Sequence, residues 1–265
     1  MSVPKLCYPR AARNKIVFSE INMKFSDFGK FMLSEVINTF LLNIKKNKQY
    51  ELHCSYIGLN LGCGADNPPH WLGIDGGISI LLLRILPQNV SRRFFKYFNM
   101  SHVYHFEEYY QKIKISKIVH HDLCHGIPFK DDSIPSIYSS HVIEHLTKHE
   151  AETLLKDCYR VLKPRGIIRL CVPSLDSQVR AIKDAIKKYE EGNNDSIQNI
   201  VANTNYGYIG KFAVHRCLYN FAAIQKLLSA ANFKDVKEWT FKNGKIPEVE
   251  LLDTREGLYI EAIKS

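Results

Sequence analysis

The stretch LNLGCGADNPPHWLGIDGG, residues 59–77, decides the fold of this chain. Its apolar start ends at a Gly-x-Gly, and a second short apolar run over residues 71–75 ends at an aspartate. In an open α/β sheet, ligands bind at the carboxyl ends of strands, where glycine lets a ligand approach bare backbone. An aspartate at the next strand end can accept hydrogen bonds from a ribose diol. The stretch therefore predicts a nucleoside-type ligand held by Gly62, Gly64 and Asp75.

Apolar runs and amphipathic stretches alternate along the rest of the chain. We predict strands at residues 56–61, 71–75, 115–122, 134–141, 167–173, 236–241 and 258–264. We predict four helices. The first covers residues 26–45 with Ser26 as its cap, and the second runs from a Thr147–Glu150 capping box to a stop at Pro164 and Gly166. The other two lie in part of 175–200 and at 220–233. This alternation predicts a mostly parallel α/β sheet with helices on both faces.

Composition narrows the class of protein. The chain has 265 residues, 45% of them hydrophobic, and its seven cysteines are scattered without a CxxC pair. This disfavours a disulfide scaffold or zinc knuckle and suits a reducing cytoplasm, as does the lack of a signal peptide or long apolar run. The net charge of +9 fits either a solvated basic surface or an acidic partner. Without an RNA-binding motif or a long basic run, we expect no nucleic-acid partner.

A second carboxylate fits an adenine base. In HHDLCHGIPF, Asp122 ends the third predicted strand and Leu123 follows it. The carboxylate can accept from the exocyclic amine while the apolar neighbour covers the ring; the alternative is an aspartate that only caps a turn. The third glycine of G-x-G-x-x-G is replaced by Asn67, which disfavours a dinucleotide. Two carboxylates and a glycine turn together indicate an adenosine site.

Four stretches resemble one family, the class I S-adenosylmethionine (SAM)-dependent methyltransferases of the group called type 11. They are LNLGCG at residues 59–64, HHDLCHGIPFKDDSIPSIYSSHVIEHL at 120–146, LLKDCYRVLKPRGIIRLCVP at 154–173 and HRCLYNFAAIQKLLSAANFKDV at 215–236. The resemblance implies SAM as cofactor and a Rossmann-like, mostly parallel sheet with an antiparallel last strand. It implies a methyltransferase domain over residues 53–265, which leaves residues 1–52 as an N-terminal helical extension.

The resemblance also assigns the cofactor contacts. They are Asn60, Gly62, Cys63, Gly64, Asp75, Gly76, Asp122, Leu123, Ser140 and His141. Asn60 departs from the acidic residue usual at its position, so its contact to the SAM amino group is weaker or water-mediated. Only ten residues separate Gly64 from Asp75, and they include two prolines, so the first helix of the family is shortened or absent. Arg165 stands where a glycine is common.

The shortened first loop is similar to a bacterial branch associated with surface-polysaccharide synthesis. It implies O-methylation of a surface glycan or capsule precursor, at a sugar hydroxyl or, given the basic charge, at a phosphate-type oxygen. The alternatives are a small-molecule or quinone-like O- or C-methyltransferase, a non-catalytic SAM-binding protein, and a nucleotide-linked oxidoreductase that the glycine pattern disfavours.

Histidines supply the candidates for acid–base chemistry. A hydroxyl acceptor benefits from a general base, and we expect this base to be His141, ahead of His215 and His145. The alternative roles are a wall of the adenosine pocket for His141 and a packed structural residue for His145. With Glu144 these residues have the types of a metal site, as in relatives with E-x-x-E-H and a later histidine. Because His141 stands where those relatives have the first acid, we expect no metal.

Residues 78–116, called the insert below, separate the two cofactor aspartates. The sequence there is irregular, with ISILLLRIL followed by the basic and aromatic SRRFFKYF. We interpret the insert as helices that cover the sheet and cap the acceptor site. The second interpretation is contact with a membrane that carries a lipid-linked glycan.

Overall fold

The computed structural model describes residues 36–97, 105–193 and 215–265, and these residues form a seven-stranded sheet. The strands are β1 (Gly58–Leu61), β2 (Trp71–Asp75), β3 (Ile118–His120), β4 (Ile134–Ser140), β5 (Leu162–Val172), β6 (Lys234–Trp239) and β7 (Leu258–Ile263). They lie in the order β3-β2-β1-β4-β5-β7-β6. All pairs are parallel except those of β7, which is antiparallel to both neighbours. The predicted Rossmann-like α/β class is confirmed, including the antiparallel last strand.

Helices pack on both faces of this sheet. They are α1 (36–45), α2 (Ile78–Ile85), α3 (Gln88–Tyr97), α4 (Phe106–Ile115), α5 (Lys148–Val161), α6 (Leu175–Glu190), α7 (Phe221–Ala230) and α8 (Val249–Leu252). The predicted capping box is present, because Thr147 accepts from the Glu150 amide and Glu150 accepts in return. Ser26 and the first part of the predicted helix 26–45 lie outside the described residues, as do residues 194–200. Each helix that the structure describes is too short or too polar to span a bilayer.

The boundary between α5 and β5 lies earlier than predicted. The helix ends at Val161 and the strand begins at Leu162, which pairs with Ile134 of β4, so Pro164 and Gly166 lie within β5. Arg165 has a positive φ of 66°. This conformation explains why a glycine is common at the position, since glycine adopts it without strain.

The helix that usually follows β1 is absent. Residues 62–70 make turns instead, and Pro68 and Pro69 exclude a regular helix there. Two amides hold the turns: Asn60 Nδ2 donates to the Asp66 carbonyl at 3.0 Å, and Asn67 Nδ2 donates to the Trp71 carbonyl at 2.7 Å. We call residues 62–67 the glycine turn.

The insert supplies the support that the missing helix would give. Its described residues are not irregular but form α2, α3 and α4, which agrees with the interpretation as a helical cover. Their buried side chains pack with Cys63 and Ala65 of the glycine turn and with Ile118 of β3 in one apolar cluster. The other members of this cluster are Ile80, Leu83, Phe95, Phe106, Tyr109, Tyr110 and Ile113. We call the glycine turn and the carboxyl ends of β1, β2 and β3 the cofactor edge, after the ligand expected there. The insert therefore supports this edge directly.

A buried ion triad fixes the opposite half of the sheet. Arg169 of β5 is 0% exposed and donates to Asp253 through Nε at 3.1 Å and Nη2 at 2.6 Å. Its Nη1 donates to Glu261 of β7 at 2.9 Å and to the Asn243 carbonyl. Because every charge finds a partner, this triad holds the segment 240–253 against the sheet without an unpaired buried ion.

A chain of hydrogen bonds attaches α1 to the end of β2. Lys45 Nζ lies 3.3 Å from His120 Nδ1, His120 Nε2 lies 3.0 Å from Asn38 Oδ1, and Asn38 Nδ2 donates to the Gly76 carbonyl at 3.0 Å. Since Lys45 can only donate, His120 accepts at Nδ1 and donates from Nε2. Burial, and then the neighbouring Lys45, lower the pKa of His120 to about 4, which keeps the ring neutral. The described part of the N-terminal extension thus contacts the cofactor edge.

The low pKa of His120 predicts an acid-dependent loss of stability. Between pH 6.5 and 4 the unfolded chain binds a proton that the native ring does not, so stability rises with pH and falls on acidification. Lowering the pH from 7 to 5 should remove about 2 kcal/mol through this residue. The free energy of unfolding, measured in urea at the two pH values, should fall by that much less in His120→Gln than in the wild type. The exposed-site control His149→Gln should match the wild type. Parallel losses in all three proteins would contradict the assignment.

Candidate cofactor site and active site

The glycine turn presents bare backbone at the end of β1. Gly62 has φ +64°, and a Cβ at this position would overlap the Val142 side chain. Gly64 has φ +54°, and a Cβ there would meet no protein atom within 4 Å. Both positions favour glycine because of their left-handed conformation. The clear space beside Gly64 lets a ligand lie against the turn.

The Asp75 carboxylate links the glycine turn to the backbone at Gly77, just before α2. Its Oδ2 accepts from the Gly64 amide at 2.9 Å, and its Oδ1 accepts from the Gly77 amide at 2.7 Å. Burial raises the pKa of this carboxyl above its ordinary value, and the two amides partly oppose that shift. Each oxygen keeps a further lone pair, so the carboxylate can still accept from a ribose diol. The predicted role of Asp75 is thus compatible with its structural contacts.

Asp122 lies at the neighbouring strand end, beside Asp75. A Cβ on Gly76 would lie 3.7 Å from the Asp122 Cα, which shows how closely the two strand ends approach. Asp122 Oδ1 accepts from the Cys124 amide at 2.9 Å and caps the short 3₁₀ helix Leu123–His125. The capping role weighed from the sequence is therefore present. Leu123 is half-buried beside it, and the adenine contact of this pair stays a prediction.

Two predicted cofactor residues direct their side chains into the protein. Asn60 is buried and its amide holds the Asp66 carbonyl, so its first contact is with the glycine turn. The Cys63 thiol lies in the apolar cluster of the insert, and burial raises its pKa well above the ordinary value. Cys63 can therefore contact a cofactor only through its backbone, as can Gly76, which has no side chain. Ser140, the last residue of β4, is half-buried at the same edge.

Four ionisable residues come together after β4, and we call them the histidine cluster: His141, Glu144, His145 and His215. His141 has φ +55°, a conformation that is uncommon for a residue with a side chain and recurs at functional sites. Its Nδ1 lies 3.1 Å from Glu144 Oε1, and the Glu144 side chain is 1% exposed. The rings of His145 and His215 meet edge to face with centroids 4.9 Å apart.

Backbone hydrogen bonds position the distant His215. The Glu144 carbonyl accepts from the amides of Arg216 and Cys217 at 2.7 and 3.1 Å. The peptide that presents Glu144 and His145 therefore also holds the segment that presents His215. Since Val142 packs where a Gly62 side chain would lie, the cluster adjoins the glycine turn. The three histidines predicted from the sequence are thus brought together beside the expected cofactor position.

The protonation state of His141 differs from expectation. Burial lowers its pKa, but hydrogen bonds to Cys171 and Glu144 outweigh that effect and raise the pKa to about 9. A ring with this pKa is protonated near pH 7 and donates a hydrogen bond. This disfavours the predicted role of His141 as a neutral general base and suits a residue that orients Glu144.

The cluster also has the geometry of a metal site. One ligand atom from each of Glu144, His145 and His215 lies within 4.8 Å of the other two. The sequence-based expectation of no metal did not include this short distance between the three ligand atoms. Sequence reasoning also missed Asn38, because its contact with Gly76 joins residues far apart in the chain, and Gly77, whose amide donates to the Asp75 carboxylate.

Comparison with known proteins identifies the central part of the chain. Residues 59–170 match the family described as Methyltransferase domain. The matched part of the chain is a SAM-dependent methyltransferase domain. No curated protein sequence matches it. The matched segment contains the glycine turn, both aspartates and Glu144 with His141 and His145, so the cofactor of this methyltransferase is SAM, and the backbone at Gly64 and the Asp75 carboxylate fit its nucleoside.

Solved methyltransferase structures resemble this one at low identity. A SAM-dependent methyltransferase from Archaeoglobus fulgidus is 15% identical with a TM-score of 0.42, covering 87% of this chain and 94% of its own. One from Thermotoga maritima is 13% identical with a TM-score of 0.40, covering 90% and 96%. Phosphoethanolamine N-methyltransferase 2 from Haemonchus contortus, in complex with SAM, is 13% identical with a TM-score of 0.41, covering 86% and 52%. The chain spans about half of the Haemonchus chain, and none of these similarities bears on the acceptor.

Asp75 generates a prediction for cofactor affinity. Asp75→Ala removes a charged hydrogen-bond acceptor from the ribose position and should weaken binding of SAM and of its demethylated product by about 1.5–3 kcal/mol. Isothermal titration calorimetry measures both affinities, and circular dichroism checks the fold. Glu238→Ala, on the exposed far strand β6, serves as the control and should leave binding unchanged. Wild-type affinity in folded Asp75→Ala would remove this residue from the site.

Proposed function

We propose that this methyltransferase acts on an oxygen atom of a bacterial surface glycan or its activated precursor, either a sugar hydroxyl or a phosphate-type oxygen. The observation that carries the proposal is the histidine cluster next to the glycine turn. SAM supplies an electrophilic methyl group, so the enzyme needs proximity, alignment and, for a hydroxyl acceptor, a means of removing a proton. The imidazoles of His145 and His215, next to the buried Glu144 carboxylate, meet that last requirement.

The cluster favours a hydroxyl over an amine or a thiolate. A neutral amine already has a free lone pair, whereas a hydroxyl becomes a good nucleophile only as its proton leaves. In this proposal His145 and His215, whose rings meet edge to face, contact the acceptor hydroxyl. His141 lies behind them, because its Nδ1 is next to Glu144. This ordering revises the sequence-based preference for His141.

Charge supports an anionic acceptor. The chain carries a net charge of +9, and α3 exposes Arg93 and Lys96 on the insert next to the cofactor edge. We propose that the insert caps the acceptor site and that these cations attract a phosphorylated glycan precursor. The free thiols of the described cysteines suit the reducing cytoplasm, where we place the enzyme. We retain the proposed division into an extension, residues 1–52, and a catalytic domain, residues 53–265.

Product analysis tests the acceptor class directly. The enzyme is incubated with SAM and with sugar nucleotides, lipid-linked glycan precursors and quinone-like phenols in parallel, and each product is examined by mass spectrometry. We expect one added methyl on a glycan precursor, located on oxygen by fragmentation. Methylation of the phenol alone, or of nitrogen or carbon, would overturn the proposed acceptor while leaving the methyltransferase assignment intact.

Turnover of variants tests the role of the cluster. His215→Ala should lower turnover on the accepted glycan by roughly 10²–10⁴-fold, because the hydroxyl loses the group that handles its proton. SAM affinity should stay near that of the wild type, since His215 lies outside the adenosine contacts. His149→Ala, an exposed histidine on α5, is the matched control. Near-normal turnover in His215→Ala would contradict proton removal by the cluster and point to an acceptor that is already ionised.

A further inference from the structure

We propose that Glu144, His145 and His215 bind a divalent first-row transition-metal cation, and that this cation holds the acceptor oxygen. The inference rests on the proposed function and deepens it: the two histidines act through the cation and not as free bases. The ligand atoms of the three residues already lie within 4.8 Å of one another. Metal–nitrogen and metal–oxygen bonds of about 2.0–2.2 Å need separations of roughly 3–3.5 Å, which small side-chain rotations can supply.

The Glu144 carboxylate provides an independent reason for a cation. Its side chain is 1% exposed, and Oε2 accepts no hydrogen bond from any described residue. Oε1 has His141 Nδ1 at 3.1 Å as its near neighbour. A buried oxygen that accepts no hydrogen bond is unfavourable, and His141 lies against Oε1 alone. A metal ion bound at Oε2 would supply the missing partner.

The backbone holds the three ligands together before any ion arrives. Glu144 and His145 belong to the short 3₁₀ helix Ile143–His145, which ends just before the capping box of α5. The Glu144 carbonyl fixes the amides of Arg216 and Cys217, and so fixes the segment that begins with His215. His141 stands behind the carboxylate, where a hydrogen bond to a metal ligand orients it.

The ligand types select the class of metal. Two imidazoles and one carboxylate suit zinc, iron, cobalt or manganese, whereas magnesium and calcium prefer all-oxygen ligands. Three protein ligands leave a coordination position open for the acceptor, as in catalytic metal sites. A bound hydroxyl loses its proton more readily, and this proton passes to water. The oxygen lone pair then forms the new O–CH₃ bond while the electrons of the broken C–S bond remain on sulfur.

Direct metal binding tests the site without reference to activity. Tag-free, chelator-treated protein is titrated with Co²⁺, whose visible absorption reports coordination, and with Zn²⁺ by calorimetry. We expect one equivalent to bind the wild type and the exposed-site control His149→Ala alike. Glu144→Gln and His215→Ala should weaken metal binding at least tenfold, and His215→Asn provides a second, more conservative removal of the same imidazole. SAM affinity checks that each variant is folded. No uptake by the wild type, or equal uptake by folded His215→Ala, would overturn the site.

A chelation experiment separates this inference from the proposed function. Methyl transfer to the accepted glycan is measured before chelation, after removal of metal, and after return of Co²⁺ or Zn²⁺. We expect activity to fall at least tenfold and to be restored by the cation. Full activity of metal-free enzyme would sink the metal inference and leave the O-methyltransferase proposal standing. Metal binding without methylation of any glycan would support the metal site and overturn the proposed glycan acceptor.

Discussion

The Asp75 carboxylate is the contact on which the cofactor edge depends. It accepts from the Gly64 amide on one side and the Gly77 amide on the other, and so joins the glycine turn to the start of α2. Each oxygen retains a lone pair that can accept a further hydrogen bond. One side chain therefore shapes the turn and remains available as the predicted ribose acceptor.

Loss of the first helix explains the character of the insert. In a sheet of this topology a helix after β1 normally covers the glycine turn, but ten residues with two prolines cannot form it. The three helices α2, α3 and α4 instead pack against Cys63 and Ala65. The same segment thus supports the glycine turn and, in the proposed function, covers the acceptor site.

Local patterns made much of the fold predictable, and contacts between distant residues did not. The strand–glycine–strand–aspartate order, the Thr147–Glu150 capping box and the absent helix follow from neighbouring residues and were confirmed. The meeting of His145 with His215 depends on two backbone hydrogen bonds across a large sequence separation, so only their residue types could be recognised. The raised pKa of His141 depends on its hydrogen bonds to Cys171 and Glu144, and no sequence pattern encodes the contact with the distant Cys171.

A crystal structure of the complex with the demethylated cofactor product tests the central claim most directly. We expect ribose hydroxyls within hydrogen-bond distance of the Asp75 carboxylate, with both of its bonds to the Gly64 and Gly77 amides retained. The nucleoside should lie beside Gly64, with its base near Asp122 and its sulfur facing the histidine cluster. A product bound away from Asp75, or a carboxylate that releases both amides on binding, would contradict the account.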